Sequence, residues 1–288
     1  MIKRGCIVLF LLLSHVSYSQ TDEVSNEEYR KGSFYFYWGY NRGFYSKSNL
    51  HFNGPNYDFT LYNLTAHDRP SKFGSVYFNP RTLSIPQYNY RLGYFFTDRI
   101  AVSIGNDHMK YVIDQNQWTT ISGVISPEAS TEYAGAYLNE PIELKEELLT
   151  FDHTDGFNLL SLDVEYLMPI KEEPSKNFHL HWNLGIGGVW VVTKTRVKVL
   201  GDGLDNDFHI AGYTLSAKSG PRITYKNRIF LSSEIRAGYA TLPSVLIKNA
   251  EPEIGDHNVG YLEYYIVFGY NFNIGKSNER NSRNRTKP

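Results

Sequence analysis

Cysteine is almost missing from this chain, and long apolar runs are missing beyond its first few residues. The single cysteine, Cys6, precedes the unbroken apolar stretch Ile7 to Leu13. With Lys3 and Arg4 before it and Ser17-Tyr18-Ser19 after it, that stretch reads as a secretion signal over residues 1–19, cut before Gln20. The mature chain then has no cysteine, which excludes disulfides and cysteine-held metals. Cys6 stands ahead of the run rather than after it, which argues against lipid attachment. No later segment has about eighteen consecutive apolar residues, so no transmembrane helix is expected. An excess of basic charge is missing too. Removing Lys3 and Arg4 leaves 27 basic residues against 30 acidic, a net charge of −3, and no nucleic-acid partner is expected.

What the chain does have is aromatic side chains, 23 Tyr and 17 Phe, in a sequence only 41% hydrophobic. Alternation with period 2 recurs eight times, near residues 33–45, 83–96, 99–112, 156–168, 178–192, 210–225, 228–241 and 258–273. The links between these strands alternate in length. Thr97-Asp98, Pro169 to Asn177 and Lys226-Asn227 are short, whereas 46–82, 113–155, 193–209 and 242–257 are long. Short turns on one side and long loops on the other are the pattern of an outer-membrane barrel. Segments 118–125 and 144–152 could extend strands or add a hairpin, so ten strands stay open beside eight.

Face polarity points the same way. In the last strand Leu262, Tyr264, Ile266, Phe268, Tyr270 and Phe272 alternate with Tyr261, Glu263, Tyr265, Val267, Gly269 and Asn271. Leu160, Leu162, Val164 and Tyr166 alternate with Ser161, Asp163 and Glu165, and Tyr88, Tyr90, Leu92 and Tyr94 with Gln87, Asn89, Arg91 and Gly93. A soluble ligand-binding barrel would alternate too, with its apolar face turned inward. The loop sorting and the signal favour lipid outside. Trp182 and Trp190, eight residues apart on one face, would differ in height by roughly 20 Å, near the spacing of two aromatic girdles.

The chain thus resembles the small outer-membrane β-barrel families of bacteria over residues 33–274, as an all-β, up-and-down antiparallel barrel. Its closing strand, Tyr261 to Phe272, looks like the terminal signal that such barrels present to the barrel assembly machinery. The resemblance implies a monomer in the outer membrane among its lipids and lipopolysaccharide. Residues 20–32 would be a periplasmic segment and 275–288 a disordered polar periplasmic tail.

Candidate sites fall into three groups. Arg91, Asp163, Glu165, Glu234, Arg236 and Glu263 share the inward face, with His179 and His181. Eight strands leave room only for side chains, so these charges should pair into a salt-bridged plug. Asp202, Asp205, Asp207 and His209 sit in a glycine-rich outer segment that could hold a divalent cation, although its spacing is not an EF-hand. Five of nine histidines have an aspartate within two residues: His67-Asp68, Asp107-His108, His153 with Asp155, Asp207 with His209, and Asp256-His257. Asp107, His108, His153 and Asp155 are the candidates for a shared rim site, as general base or metal ligands. Gly185-Ile186-Gly187-Gly188 lies mid-strand with no helix after it, so it reads as small residues in a crowded barrel and not as a phosphate loop.

Three functions follow from these readings. The first is a non-enzymatic barrel with a closed lumen and large outer loops, for structure, adhesion or surface recognition, needing no cofactor. The second is a barrel enzyme acting on lipid A or phospholipid through an Asp/His rim site. The third is a small-solute channel.

Overall fold

Side chains that alternate along a strand must find two different surroundings, and a closed ring supplies them as inside and outside. The structure, a computed structural model, describes residues 30–79, 81–82, 85–171, 177–246 and 254–274. The expected secretion signal, most of the expected periplasmic segment and the expected polar tail lie outside the described residues. In chain order the strands are β1 (Phe34–Tyr45), β2 (Ser48–Gly54), β3 (Tyr57–Leu64), β4 (Ala66–His67), β5 (Tyr88–Phe95), β6 (Ile100–Ile113), β7 (Trp118–Ile125), β8 (Gly135–Glu143), β9 (Leu149–Lys171), β10 (Phe178–Thr193), β11 (Arg196–Val199), β12 (Asp202–Asp205), β13 (His209–Tyr225), β14 (Ile229–Leu246) and β15 (Ile254–Phe272). One 3-10 turn, Ser75–Tyr77, interrupts them.

Eight of these close a ring, in the order β1-β5-β6-β9-β10-β13-β14-β15, with β15 returning to β1. The closing pair runs in unbroken register from Phe34 opposite Phe272 to Tyr45 opposite Tyr261. All eight expected strands form, and every neighbouring pair in the ring is antiparallel. The outward wall is apolar: Leu215 is 81% exposed, Ile186 69% and Phe268 60%. A belt of such residues around a whole ring has no place in water, and this is the architecture of an outer-membrane β-barrel.

The long links are where the expectation changes. Among the described residues, much of their length is strand. β2 adds to the outer part of β15, and β3, β7 and β8 follow it edge to edge. β4 adds to β6, and β11 with β12 adds to β9. Segment 118–125 is therefore a strand, but one placed in this outer sheet and not in the ring, so the ring keeps eight strands. Several ring strands also run past the bilayer. The 23 residues of β9, tilted near 40°, rise roughly 55–60 Å, more than twice an apolar band of about 25 Å. The barrel thus carries a β-structured outer head.

Three interiors stack along the axis. At the short-turn end Tyr35, Tyr37, Phe95, Leu167, Phe230 and Tyr265 pack together. Charged groups fill the middle. The head has a separate apolar core that includes Leu50, Phe52, Phe59, Leu61, Tyr111, Ile121, Phe151, Phe157 and Leu242.

Candidate functional site

Alternation brings five carboxylates, Asp107, Asp163, Glu165, Glu234 and Glu263, and four cations, Arg91, Lys218, Arg222 and Arg236, into the mid-barrel lumen, all of them buried. Asp163 is the hub. It pairs with Arg91 and Arg236 and lies 3.4 Å from the Lys218 Nζ. Lys218 also reaches Glu165 at 3.0 Å. Arg91 donates to Tyr37 Oη at 2.8 Å and to Ser161 Oγ at 2.9 Å, which leaves its guanidinium well satisfied. Arg236 Nε lies 3.3 Å from Asp107, and its Nη1 donates to Ser216 Oγ at 2.9 Å. Asn89 donates to both Asp107, at 2.7 Å, and Glu263, at 2.6 Å. Asn183 likewise bridges Glu165 and Glu234, and Tyr265 Oη donates to Glu234 at 2.8 Å. Arg222 stands over the rings of Phe230, at 4.2 Å, and Tyr35, at 5.2 Å. Below it, Arg30 and His181 meet at 2.9 Å near the short-turn end of the barrel.

Small residues make room for this network. A Cβ at Gly187 would collide with the Asp163 carboxylate, and one at Gly185 would come within 2.7 Å of Lys218. The crowded-barrel reading of the glycine run therefore fits its surroundings.

The six lumen residues expected from the sequence do meet. Three more were missed: Lys218 and Arg222, which share the even-numbered inward face of β13, and Asp107. Asp107 belongs to the lumen and not to the rim. Its parity shows why, since Ser103 and Asp107 are both buried on the inward face of β6.

The same parity dissolves the expected rim site. Adjacent residues on a strand face opposite sides of the sheet. Asp107 points in while His108 lines the outer wall, and His153 points in, buried in the head. His108 and His153 therefore sit on opposite faces of the barrel wall and share no centre. Asp155 is outward and partly exposed, 3.3 Å from Lys194 and 3.8 Å from Arg196. The histidines that do meet carboxylates find them across strands. His67 pairs with Asp114 instead of Asp68, whose carboxylate accepts from Gly43 N at 3.1 Å. His51 lies 2.8 Å from Asp58 and 3.5 Å from Asp256. Burial opposes its charge, but hydrogen bonds to these two carboxylates outweigh that, and His51 titrates above the ordinary value.

The outer metal candidates are dispersed as well. Asp202 and Asp205 open and close β12, and Asp205 faces Lys194 at 3.6 Å. Both ring nitrogens of His209 face backbone carbonyls, of Asp207 at 3.1 Å and Ser244 at 2.8 Å, and no carboxylate contacts either of them. Among the described residues, no group of three or more His, Cys, Asp or Glu could hold a metal ion.

Inside the head, outside the membrane span, His153 and His257 stack with ring centroids 5.7 Å apart. His153 Nδ1 meets Thr195 Oγ1 at 3.0 Å, whereas neither nitrogen of His257 has a partner among the described residues. Burial pushes His257 down to about 3; burial, then the nearby His257 and His209, pushes His153 well down too.

The sequence matches no protein-family model and no curated protein. Among solved structures, the chain is similar to the outer membrane protein OprG from Pseudomonas aeruginosa, at TM-score 0.38 and 12% identity, over 86% of this chain and 100% of that one. It is also similar to the outer membrane protein AlkL, at TM-score 0.39 and 12% identity, over 91% and 100%. Ail, the attachment invasion locus protein of Yersinia pestis, gives TM-score 0.32 and 12% identity, over 84% and 99%. Scores this low say nothing of activity, and the barrel assignment rests on the closed ring and its apolar wall.

Proposed function

We propose that the protein is a non-enzymatic outer-membrane barrel whose closed lumen supports a rigid outer head for surface recognition. The filled interior carries this reading. A buried charge network is topped by an apolar core, so the ring serves as a pedestal and not as a passage. Links used only to join strands would be far shorter than these. Two measurements test the proposal. Purified protein in planar bilayers should give no ion conductance above the bare membrane, and steady conductance would overturn the pedestal. Vesicles bearing the protein should adhere to polysaccharide- or protein-coated surfaces and lose that adhesion when residues 118–143 are replaced by a short flexible linker. Adhesion that is absent, or indifferent to the replacement, would overturn the recognition role.

Lipid modification keeps one observation in its favour. His108 and Asp155 line the same outward groove. Mass spectrometry of lipid A from cells with and without the protein tests it, and an unchanged lipid A profile removes that reading.

A further inference from the structure

The groove holding His108 has a built polar side. It is an open depression of about 540 Å³ on the outer wall, formed where β5, β6, β9 and β10 leave the apolar band. Its side toward the bilayer is Tyr90 and Leu160, each one outward position from the lipid-facing Leu92 and Leu162 on the same strand. On its outer side stand Lys110, Thr154 and Asp155. The apolar half is thus continuous with the lipid-facing wall, and the polar half lies toward the water.

His108 is held in one state between them. Asn158 donates its amide to Val192 O at 3.2 Å, which turns its Oδ1 toward His108. That oxygen only accepts, so the 2.8 Å contact with His108 Nδ1 makes Nδ1 the protonated nitrogen. The neutral imidazole then presents a bare Nε2, an acceptor with no partner among the described residues. Stacking on Tyr88, at 5.1 Å between centroids, fixes the ring plane. Lys110 donates one hydrogen bond, to Ile85 O at 3.2 Å, and its ammonium has two further donors. Asp155, the one carboxylate in the lining, is engaged with Lys194 and Arg196; it and Asp68 act on Lys110 only through space, and neither forms an ion pair with it among the described residues.

An acceptor and an ammonium side by side, above an apolar trough in a bilayer wall, select for a particular chemistry. We infer that this groove binds the phosphate-bearing headgroup of an outer-leaflet lipid that also carries an N–H or O–H donor. The phosphate sits at Lys110, the donor at His108 Nε2, and the acyl chain along Tyr90 and Leu160. The site depends on the barrel standing in a bilayer and not on the surface-recognition reading.

The test is lipid retention by the full-length barrel. Folded protein is equilibrated with mixed micelles holding phosphatidylethanolamine, phosphatidylcholine or lipid A, and bound lipid is counted by native mass spectrometry. Phosphatidylcholine has the phosphate but no donor, so it should be retained least. Retention of phosphatidylethanolamine marks a phospholipid site, and retention of lipid A alone marks a saccharide-lipid site. His108→Ala should lower retention of the donor lipids about fivefold and leave phosphatidylcholine unchanged, as loss of one hydrogen bond would. Lys110→Met should lower retention of all three. A nitrogen-15 spectrum of His108 in the wild type is independent of any folding defect in the variants, and its Nε2 resonance should shift with phosphatidylethanolamine or lipid A. Equal retention of phosphatidylcholine, unchanged retention in both variants, or an Nε2 resonance indifferent to every lipid overturns the inference.

Discussion

The ring strands pass from the membrane half into the outer head with their polarity reversed. On β9 the inward residues run Glu165, Asp163 and Ser161 in the membrane, then Leu159, Phe157, Phe151 and Leu149 in the head. The outward residues run Tyr166, Val164 and Leu162, then Asn158 and Asp152. β15 turns over in the same way, from buried Tyr265 and Glu263 to Tyr261 and Val259, and outside from Ile266 and Leu262 to Asn258 and Asp256. Period 2 runs unbroken through the switch on β15, and on β9 it resumes in phase after an irregularity at Asp155-Gly156, while the meaning of each face inverts. What decides is the solvent on the outside: where lipid covers the wall the polar groups collect within, and where water covers it the apolar groups do.

The sharpest test of this contrast uses adjacent residues. Asp163→Ala leaves Arg91, Lys218 and Arg236 facing one another in the lumen and should cost roughly 3–5 kcal/mol. Leu162→Arg, one position away and lipid-facing, should cost roughly 2–4 kcal/mol. Urea midpoints in vesicles check both, and an unmoved midpoint in either variant means that the faces are misassigned. In the head the ordinary rules of a soluble core should hold. Leu61→Ala on β3, outside the ring, should cost roughly 2–5 kcal/mol. That loss should appear as faster amide exchange in β2, β3 and β7, with the heat-modifiable gel shift of the barrel retained.

Acid should also separate the two halves. His153 and His257 titrate below their unfolded values, so the unfolded head takes up more protons than the folded one once pH drops under about 6.5. Head stability is then fully present above that pH and declines as pH falls toward the folded values, by up to about 1.4 kcal/mol per pH unit for each group. Amide exchange at pH 5 against pH 7.5 should quicken in β2, β3 and β7, and His257→Leu should reduce the difference. His51 carries the smallest effect and the opposite sign. Its raised pKa supports the head below its unfolded value, and that support fades as pH rises through the folded value. Being largely exposed, the pair contributes under about 1 kcal/mol. His51→Gln should therefore move head stability slightly at pH 6 and not at pH 9.

The ring was legible because eight strands each repeat the same alternation for long enough to be unmistakable. The head was present in the same signal. Leu50, Phe52, Tyr57, Phe59 and Leu61 alternate around Gly54-Pro55-Asn56, a turn by composition. An expectation that strands serve to cross the bilayer hides such a hairpin among the loops. Of the lumen charges, Lys218 and Arg222 were readable from parity, as was the inward aim of Asp107. Pairings across the chain were not. His51 meets Asp256 at a separation of 205 residues, which only the register of β2 on β15 creates.

That last strand has a consequence for how the molecule is made. β15 pairs with β1 to close the ring, with β14 as its hairpin partner, and with β2 to seat the outer sheet. Local hairpins such as β2–β3 can zip early, but the ring and the seat of the head both wait for residues 254–272. Contacts of such long sequence separation fold slowly, because chain entropy is lost before they form. A chain stalled in synthesis before Ile254 would thus leave three strand edges open at once, those of β1 and β14 at lipid depth and that of β2 in water. Closure of the barrel and seating of the head are therefore a single late event, set by the arrival of the end of the chain.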